Sequence, residues 1–128
     1  MVWYLDTSAF LKLVIDEESS SAMRAWHSAN DRLWSSQLLC TEALRAADRL
    51  RVDLRSIEEA LDTVSLVLPS VATYASAGRM QTEGLRSLDA LHLAVALEIG
   101  SDLEGMVVYD QRLAEAAHGA SIEVVTPT

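Results

Sequence analysis

The chain has 128 residues, half of them hydrophobic, which suits one domain with a full core. Its 19 acids against 10 bases leave a net charge of −9, opposite to the basic footprint of a simple nucleic-acid binder. Its one cysteine, Cys40, excludes an internal disulfide and, with three histidines, a structural zinc site. No stretch approaches the roughly 18 apolar residues of a membrane span, and no basic segment with an apolar core opens the chain, so a cytoplasmic protein is expected.

Val2 to Leu5 is a continuous apolar run, the pattern of a strand covered on both faces. Thr7 and Ser8 can cap the helix that follows, in which Phe10, Leu11, Val14 and Ile15 recur at helical spacing. "DEESSS" ends that helix and caps a second, where Met23, Trp26 and His27 share a face. "RLWSS" reads as a short strand, and helices follow from about Gln37 to Val52 and from about Leu54, the latter carrying Ile57, Leu61 and Val64. "SLVLPS" gives a weak strand closed by Pro69, and a helix spans about Val71 to Met80. "GLRSLDALHLAVALEIG" predicts a helix with Ser87 as N-cap and Gly100 as C-cap. "MVVYD" predicts a second buried strand, "QRLAEAAHG" a short helix, and "IEVVTPT" a last strand. Strands alternating with helices mean an α/β fold: one three-layer domain over residues 1–128, with a mostly parallel central sheet flanked by helices.

Two of the apolar runs end in aspartate, Asp6 and Asp110. In parallel sheets ligands bind beyond the carboxyl ends of the strands, where the strand order reverses. Asp89, in the first turn of its helix, can open onto the same edge, and Glu42 lies one turn into the third helix beside Leu39, Ala43, Ala46 and Leu50. Each acid alone has a plain structural reading: Asp6 and Asp110 as caps, Asp89 as a partner of the helix dipole, Glu42 as a partner of Arg45. Taken together the balance changes: three of them interrupt or abut strongly apolar segments, where an uncompensated charge is costly, and carboxylates converging on one edge repel unless cations sit among them. Oxygen ligands without a His–Cys set point to Mg²⁺ or Mn²⁺.

The segments "LDTSAFLKL", "LLCTEALRA" around Glu42, "SLDALHLAVA" around Asp89 and "VVYDQRLAEAA" around Asp110 resemble the PIN-domain family, in particular the VapC-type toxins of bacterial toxin–antitoxin pairs. The resemblance spans essentially the whole chain. It implies a PIN-like fold and a metal-dependent endoribonuclease that leaves a 5′-phosphate. It further implies Asp6, Glu42, Asp89 and Asp110 as the catalytic, Mg²⁺- or Mn²⁺-binding acids, an RNA substrate, a homodimer and a cognate VapB-type antitoxin. One position departs from the family's habit: two residues before the last aspartate, where Thr or Ser is frequent, stands Val108.

Further residues carry two readings each. Ser8 orients Asp6 or a bound water, or only caps; Arg112 holds phosphate or pairs with an acid. His92, one turn after Asp89, touches the site or, as the better expectation, packs within "ALHLA". Trp26 and Trp34 stack on bases or, more plausibly, fill the core, and Cys40 reads as a small buried hydrophobe. A phospho-acceptor receiver would need adjacent acids after the first strand and a late lysine, yet Lys12 is the only lysine. A haloacid-dehalogenase-like phosphatase would need Asp-x-Asp there, and position 8 is Ser. The alternative that keeps the same fold is a catalytically silent PIN-like module that only binds a partner, for which loss of one of the four acids would be the sign; all four are present.

Overall fold

The computed structural model describes residues 1–128. Five parallel strands form one sheet in the order β3-β2-β1-β4-β5: β1 Val2–Leu5, β2 Leu33–Ser36, β3 Ser65–Val67, β4 Leu103–Val107 and β5 Val124–Val125. Seven helices connect and flank them: α1 Thr7–Val14, α2 Ser20–Ala29, α3 Leu38–Leu50, α4 Leu54–Leu61, α5 Val71–Gly78, α6 Ser87–Ile99 and α7 Gln111–Gly119. The most continuous apolar run takes the central place in the sheet, as its lack of a polar face requires. From β1 the chain builds outward to β2 and β3 on one side, then crosses to β4 and β5 on the other. The order therefore reverses between β1 and β4, whose carboxyl ends lead to Asp6 and Asp110.

Two apolar layers sandwich the sheet. Leu5, Phe10, Met23, Leu39 and Ile57 pack on one face under α1 to α4. Tyr4, Leu93, Val95, Met106, Val108 and Leu113 pack on the other under α6 and α7. Phe10 is fully buried, and a side chain of that size removed from water stabilises by roughly 2–3 kcal/mol. Trp26 meets Trp3 edge to face at 5.6 Å and is partly buried against the first layer, so the packing reading holds for it; Trp34 is half-buried on β2. Cys40 is only half-buried, less enclosed than expected, because α3 turns Leu39, Ala43, Ala46 and Ala47 inward instead. Leu50, expected on the same stripe, is about half exposed.

Several boundaries differ from the sequence reading for local reasons. Asp6, rather than Thr7 or Ser8, occupies the N-cap of α1 and accepts from the Ala9 amide at 3.0 Å. Ser87 is the first helical residue of α6, and Arg86 holds the cap position without a side-chain bond. Strand β4 begins at Leu103 and stops at Val107, so Val108 and Tyr109 separate it from Asp110, which caps α7 by accepting from the Leu113 amide at 3.0 Å. Pairing with the last segment reduces to Val124–Val125.

One glycine is dictated by close approach. The register between β1 and β4 shifts between Val2 and Trp3, which pair with Leu103 and Gly105. A β-carbon on Gly105 would stand 2.5 Å from the Trp3 ring and 2.6 Å from the Glu123 carbonyl oxygen. Backbone cannot yield as a flexible side chain does, so Gly105→Ala is expected to destabilise by about 1–3 kcal/mol. Urea unfolding checks this; an unchanged midpoint would show that the β1–β4–β5 junction is looser than described.

Candidate active site

The site is assembled from the end of β1, the start of α1, the first turns of α3 and α6, and the β4–α7 junction. Asp6 is 3% exposed. Its carboxylate accepts the Ser8 hydroxyl on both oxygens, at 2.7 and 2.8 Å, besides the Ala9 amide. Ser8 also accepts from the Tyr109 amide at 3.1 Å, and the Asp6 amide donates to the Val107 carbonyl at 3.4 Å. One serine hydroxyl thus ties the end of β1 to the loop leading to Asp110. Of the two readings of Ser8, the structure gives orientation of Asp6.

Burial pushes the Asp6 carboxyl up to about 6; the bonds from Ser8 and Ala9 and the positive side of His92 oppose that rise, and the charge of Asp89 adds to it. Asp89 is also raised, by burial first and then by Asp110, with Arg86 pulling the other way. Arg86 spans the two, with Nε 3.5 Å from Asp89 and Nη2 3.6 Å from Asp110. Three aspartates from distant positions in sequence therefore share one electrostatic neighbourhood, with an arginine already offsetting part of their charge.

Glu42 belongs to a polar chain running through the core. Thr7 donates to its Oε1 at 2.8 Å, and His92 Nε2 lies 2.7 Å from the same oxygen. His92 is 1% exposed, and its Nδ1 meets the Tyr4 hydroxyl at 2.7 Å. Burial alone would push the Glu42 carboxyl up, but the hydrogen bond and charge of His92, with the Thr7 bond, outweigh it and hold the group below the usual range. Glu42 is thus kept ionised, and it makes no ion pair with Arg45. Tyr4 is raised, chiefly by burial, and stays a neutral donor or acceptor. The sequence reading placed His92 in packing; it is buried as expected, yet it also bonds directly to a candidate site acid. Tyr4 and Thr7 were missed as members of this chain. Their hydroxyl-bearing side chains next to Asp6 were the only signal in the sequence.

Two expectations resolve differently. Arg112 neither pairs with an acid nor lies on the aspartates; it donates to the Gly84 carbonyl at 3.4 Å and lines a separate cavity of about 530 Å³ with Met80, Gln81 and Glu115. Val108 is fully buried in the apolar layer, so Asp110 is held by the Leu113 amide and Arg86 rather than by a hydroxyl at that position.

No three of these groups lie close enough to make a ready-made metal cage. The donors nevertheless fit Mg²⁺ or Mn²⁺. They are all carboxylates, their mutual repulsion calls for a cation, and Arg86 shows that a positive group is accommodated between Asp89 and Asp110. Mg²⁺ usually takes only one or two carboxylates and keeps its remaining water ligands.

Fold and site define an α/β domain with a carboxylate-centred site at the switch point of its sheet. The PIN domain profile matches residues 3–119, and the chain belongs to the PIN-domain family. Among its relatives, Ribonuclease VapC46 of Mycobacterium tuberculosis is 33% identical over 98% of this chain and 97% of its own length. Two solved structures share the fold. One is Mycobacterium tuberculosis VapC20, described as a sarcin-ricin loop cleaving toxin, with TM-score 0.76 and 18% identity over 98% of this chain and 99% of that one. The other is a toxin–antitoxin complex from Klebsiella pneumoniae, with TM-score 0.73 and 19% identity over 100% and 98%.

Two measurements test this geometry in metal-free protein. Asp6 has its folded-state pKa raised from 3.8 to about 6, so the folded state holds the proton more tightly than the unfolded chain. Its contribution is most favourable below pH 4 and declines as pH rises toward 6. Asp6→Asn removes that titration. The variant's stability relative to wild type should therefore improve by about 2 kcal/mol between pH 4 and pH 7, read by urea unfolding at each pH. A flat difference would mean that Asp6 is solvated. Tyr4→Phe leaves His92 Nδ1 buried without its partner and should cost about 1–3 kcal/mol. A neutral outcome by thermal unfolding would show that the buried histidine has another partner.

Proposed function

We propose that the chain is an endoribonuclease toxin that hydrolyses RNA phosphodiester bonds with Mg²⁺ or Mn²⁺. One observation carries the reading. Asp6, Asp89 and Asp110 gather at the sheet's switch point, with Glu42 beside them, in a chain that aligns over nearly its whole length with a protein named Ribonuclease VapC46.

Asp6, Asp89, Asp110 and Glu42 would hold the cation. Bound there, it supplies charge relief on the phosphate and a water of lowered pKa. The chain's own residues provide position. The sheet fixes Asp6, Ser8 locks both of its oxygens, and the Leu113 amide holds Asp110. The Tyr4–His92–Glu42 chain, with Thr7, fixes an ionised carboxylate able to orient a proton of the attacking water.

The proposed restraint is a small VapB-type antitoxin, in keeping with the toxin–antitoxin complex of similar fold. An antitoxin arginine would take the place Arg86 now holds between Asp89 and Asp110, with a stronger, bidentate contact. A homodimer in the cytoplasm completes the reading; no helix is long and apolar enough to cross a membrane.

The test is purified protein with a structured RNA, with and without Mn²⁺. Wild type should cleave with Mn²⁺ and stop on addition of EDTA. Asp6→Asn should fold, as judged by its melting curve, yet lose at least about 100-fold in rate, the scale seen when one preorganised charge contact is removed. Equal cleavage by both proteins would point to a contaminating nuclease and remove the mechanism.

A further inference from the structure

Beside the acids opens a cleft of about 600 Å³. Its lining includes Thr7, Glu42 and Asp89 together with Arg45, Arg49 and Arg86. Arg45 and Arg49 stand one turn apart on α3, about 6 Å along its axis, and continue the row begun by Glu42.

Both arginines are exposed, and no carboxylate lies within ion-pairing distance of either. Asp48 lies beside them on the same helix and bridges neither. Glu42, one turn back from Arg45, takes Thr7 and His92 on its Oε1 and makes no ion pair with Arg45. In a chain with nine more acids than bases, two adjacent unpaired arginines facing one cleft are a local reversal of charge.

We propose that this cleft is the track for the RNA backbone, with Arg45 and Arg49 each contacting a phosphate next to the one being cleaved. The proposal rests on the ribonuclease reading and specifies where its substrate lies. Arginine's planar fork suits phosphate oxygens. An acidic peptide would also meet arginine here, but its path would end on Glu42 and Asp89 with only repulsion to gain. A phosphodiester strand has cause to run there, because its scissile phosphate must reach the same acids.

The experiment uses the Asp6→Asn protein, which binds without cleaving, and a short fluorescein-labelled single-stranded RNA in Mg²⁺. Anisotropy titrations are run from about 50 to 200 mM salt. Adding Arg45→Gln and Arg49→Gln should weaken binding tenfold or more and flatten the plot of log affinity against log salt by about 1.4, the share of two phosphates on a single strand. Arg24→Gln with Arg55→Gln, which removes the same charge from arginines paired elsewhere to Asp16 and Glu59, should leave the slope unchanged. Both double variants should melt with the parent.

Equal slopes for the two double variants would overturn the track while leaving the ribonuclease reading intact. Failure of the Asp6→Asn parent to bind RNA while wild type cleaves it with Mn²⁺ would overturn the track alone, and absence of both binding and wild-type cleavage would overturn both readings. Tight binding of polyglutamate, lost only in the Arg45/Arg49 variant, would reassign the cleft to an acidic protein and overturn the track.

Discussion

A carboxylate is buried at the end of the central strand, and the arrangement around it follows from that. Asp6 is 3% exposed, in a position where a lone charge would be expensive. The structure meets the cost with a fixed set of donors, the Ser8 hydroxyl on both oxygens and the Ala9 amide. Those donors do more than solvate Asp6. The Ala9 bond is also the N-cap of α1, so the geometry that starts the helix is the geometry that aims the acid. Ser8 also accepts the Tyr109 amide, so the β4–α7 junction bearing Asp110 is set relative to Asp6 by a single oxygen atom. Burial still leaves the Asp6 carboxyl raised despite those donors.

The second device works in the opposite direction. Glu42 is also partly buried, yet its carboxyl is held low. The difference lies first in burial, which raises Asp6 beyond what Ser8, Ala9 and His92 offset, whereas at Glu42 the direct bond and charge of His92, braced by Tyr4, together with Thr7 outweigh it. Two acids in one neighbourhood are therefore pushed apart in pKa by their surroundings, the pattern expected where acids divide roles. The chain Tyr4–His92–Glu42–Thr7 joins β1, α6, α3 and α1, so any shift of these elements is felt at Glu42. No buried side-chain polar atom lacks a partner, so the network is complete without help from solvent.

Much of this was legible in the sequence, and the reasons for the rest are physical. Buried parallel strands and helices announce themselves by apolar runs and by 3.6-residue spacing, so every strand and helix of the sheet's frame was readable. Asp6, Asp89 and Asp110 stood out because each interrupts or abuts such a run. What stayed hidden depends on pairs far apart in the chain: His92 to Tyr4 across 88 residues, and to Glu42 across 50. A histidine inside "ALHLA" reads as core and is core; only the fold shows which acid it faces. Arg86 is similar. It sits at a cap position where a serine was expected, and its reach to two acids depends on the β4–α7 junction approaching the start of α6. Arg112 shows the same limit: proximity in sequence to Asp110 does not fix direction, and on α7 its side chain turns to the Gly84 carbonyl rather than to an acid.

The net charge illustrates the same limit from the other side. A total of −9 argues against a polyanion as partner if charge is taken as spread evenly. The structure distributes it otherwise. Asp16 and Glu59 are spent on surface pairs with Arg24 and Arg55, worth little individually. The aspartates of the site share one electrostatic neighbourhood, in which Asp110 raises Asp89 and Arg86 opposes that rise. Arg45 and Arg49, one and two turns beyond Glu42 on α3, carry no ion pair and line the neighbouring cleft, so positive charge stands beside an acid that His92 and Thr7 keep ionised. Sign and place of charge, rather than its sum, decide what such a surface can hold.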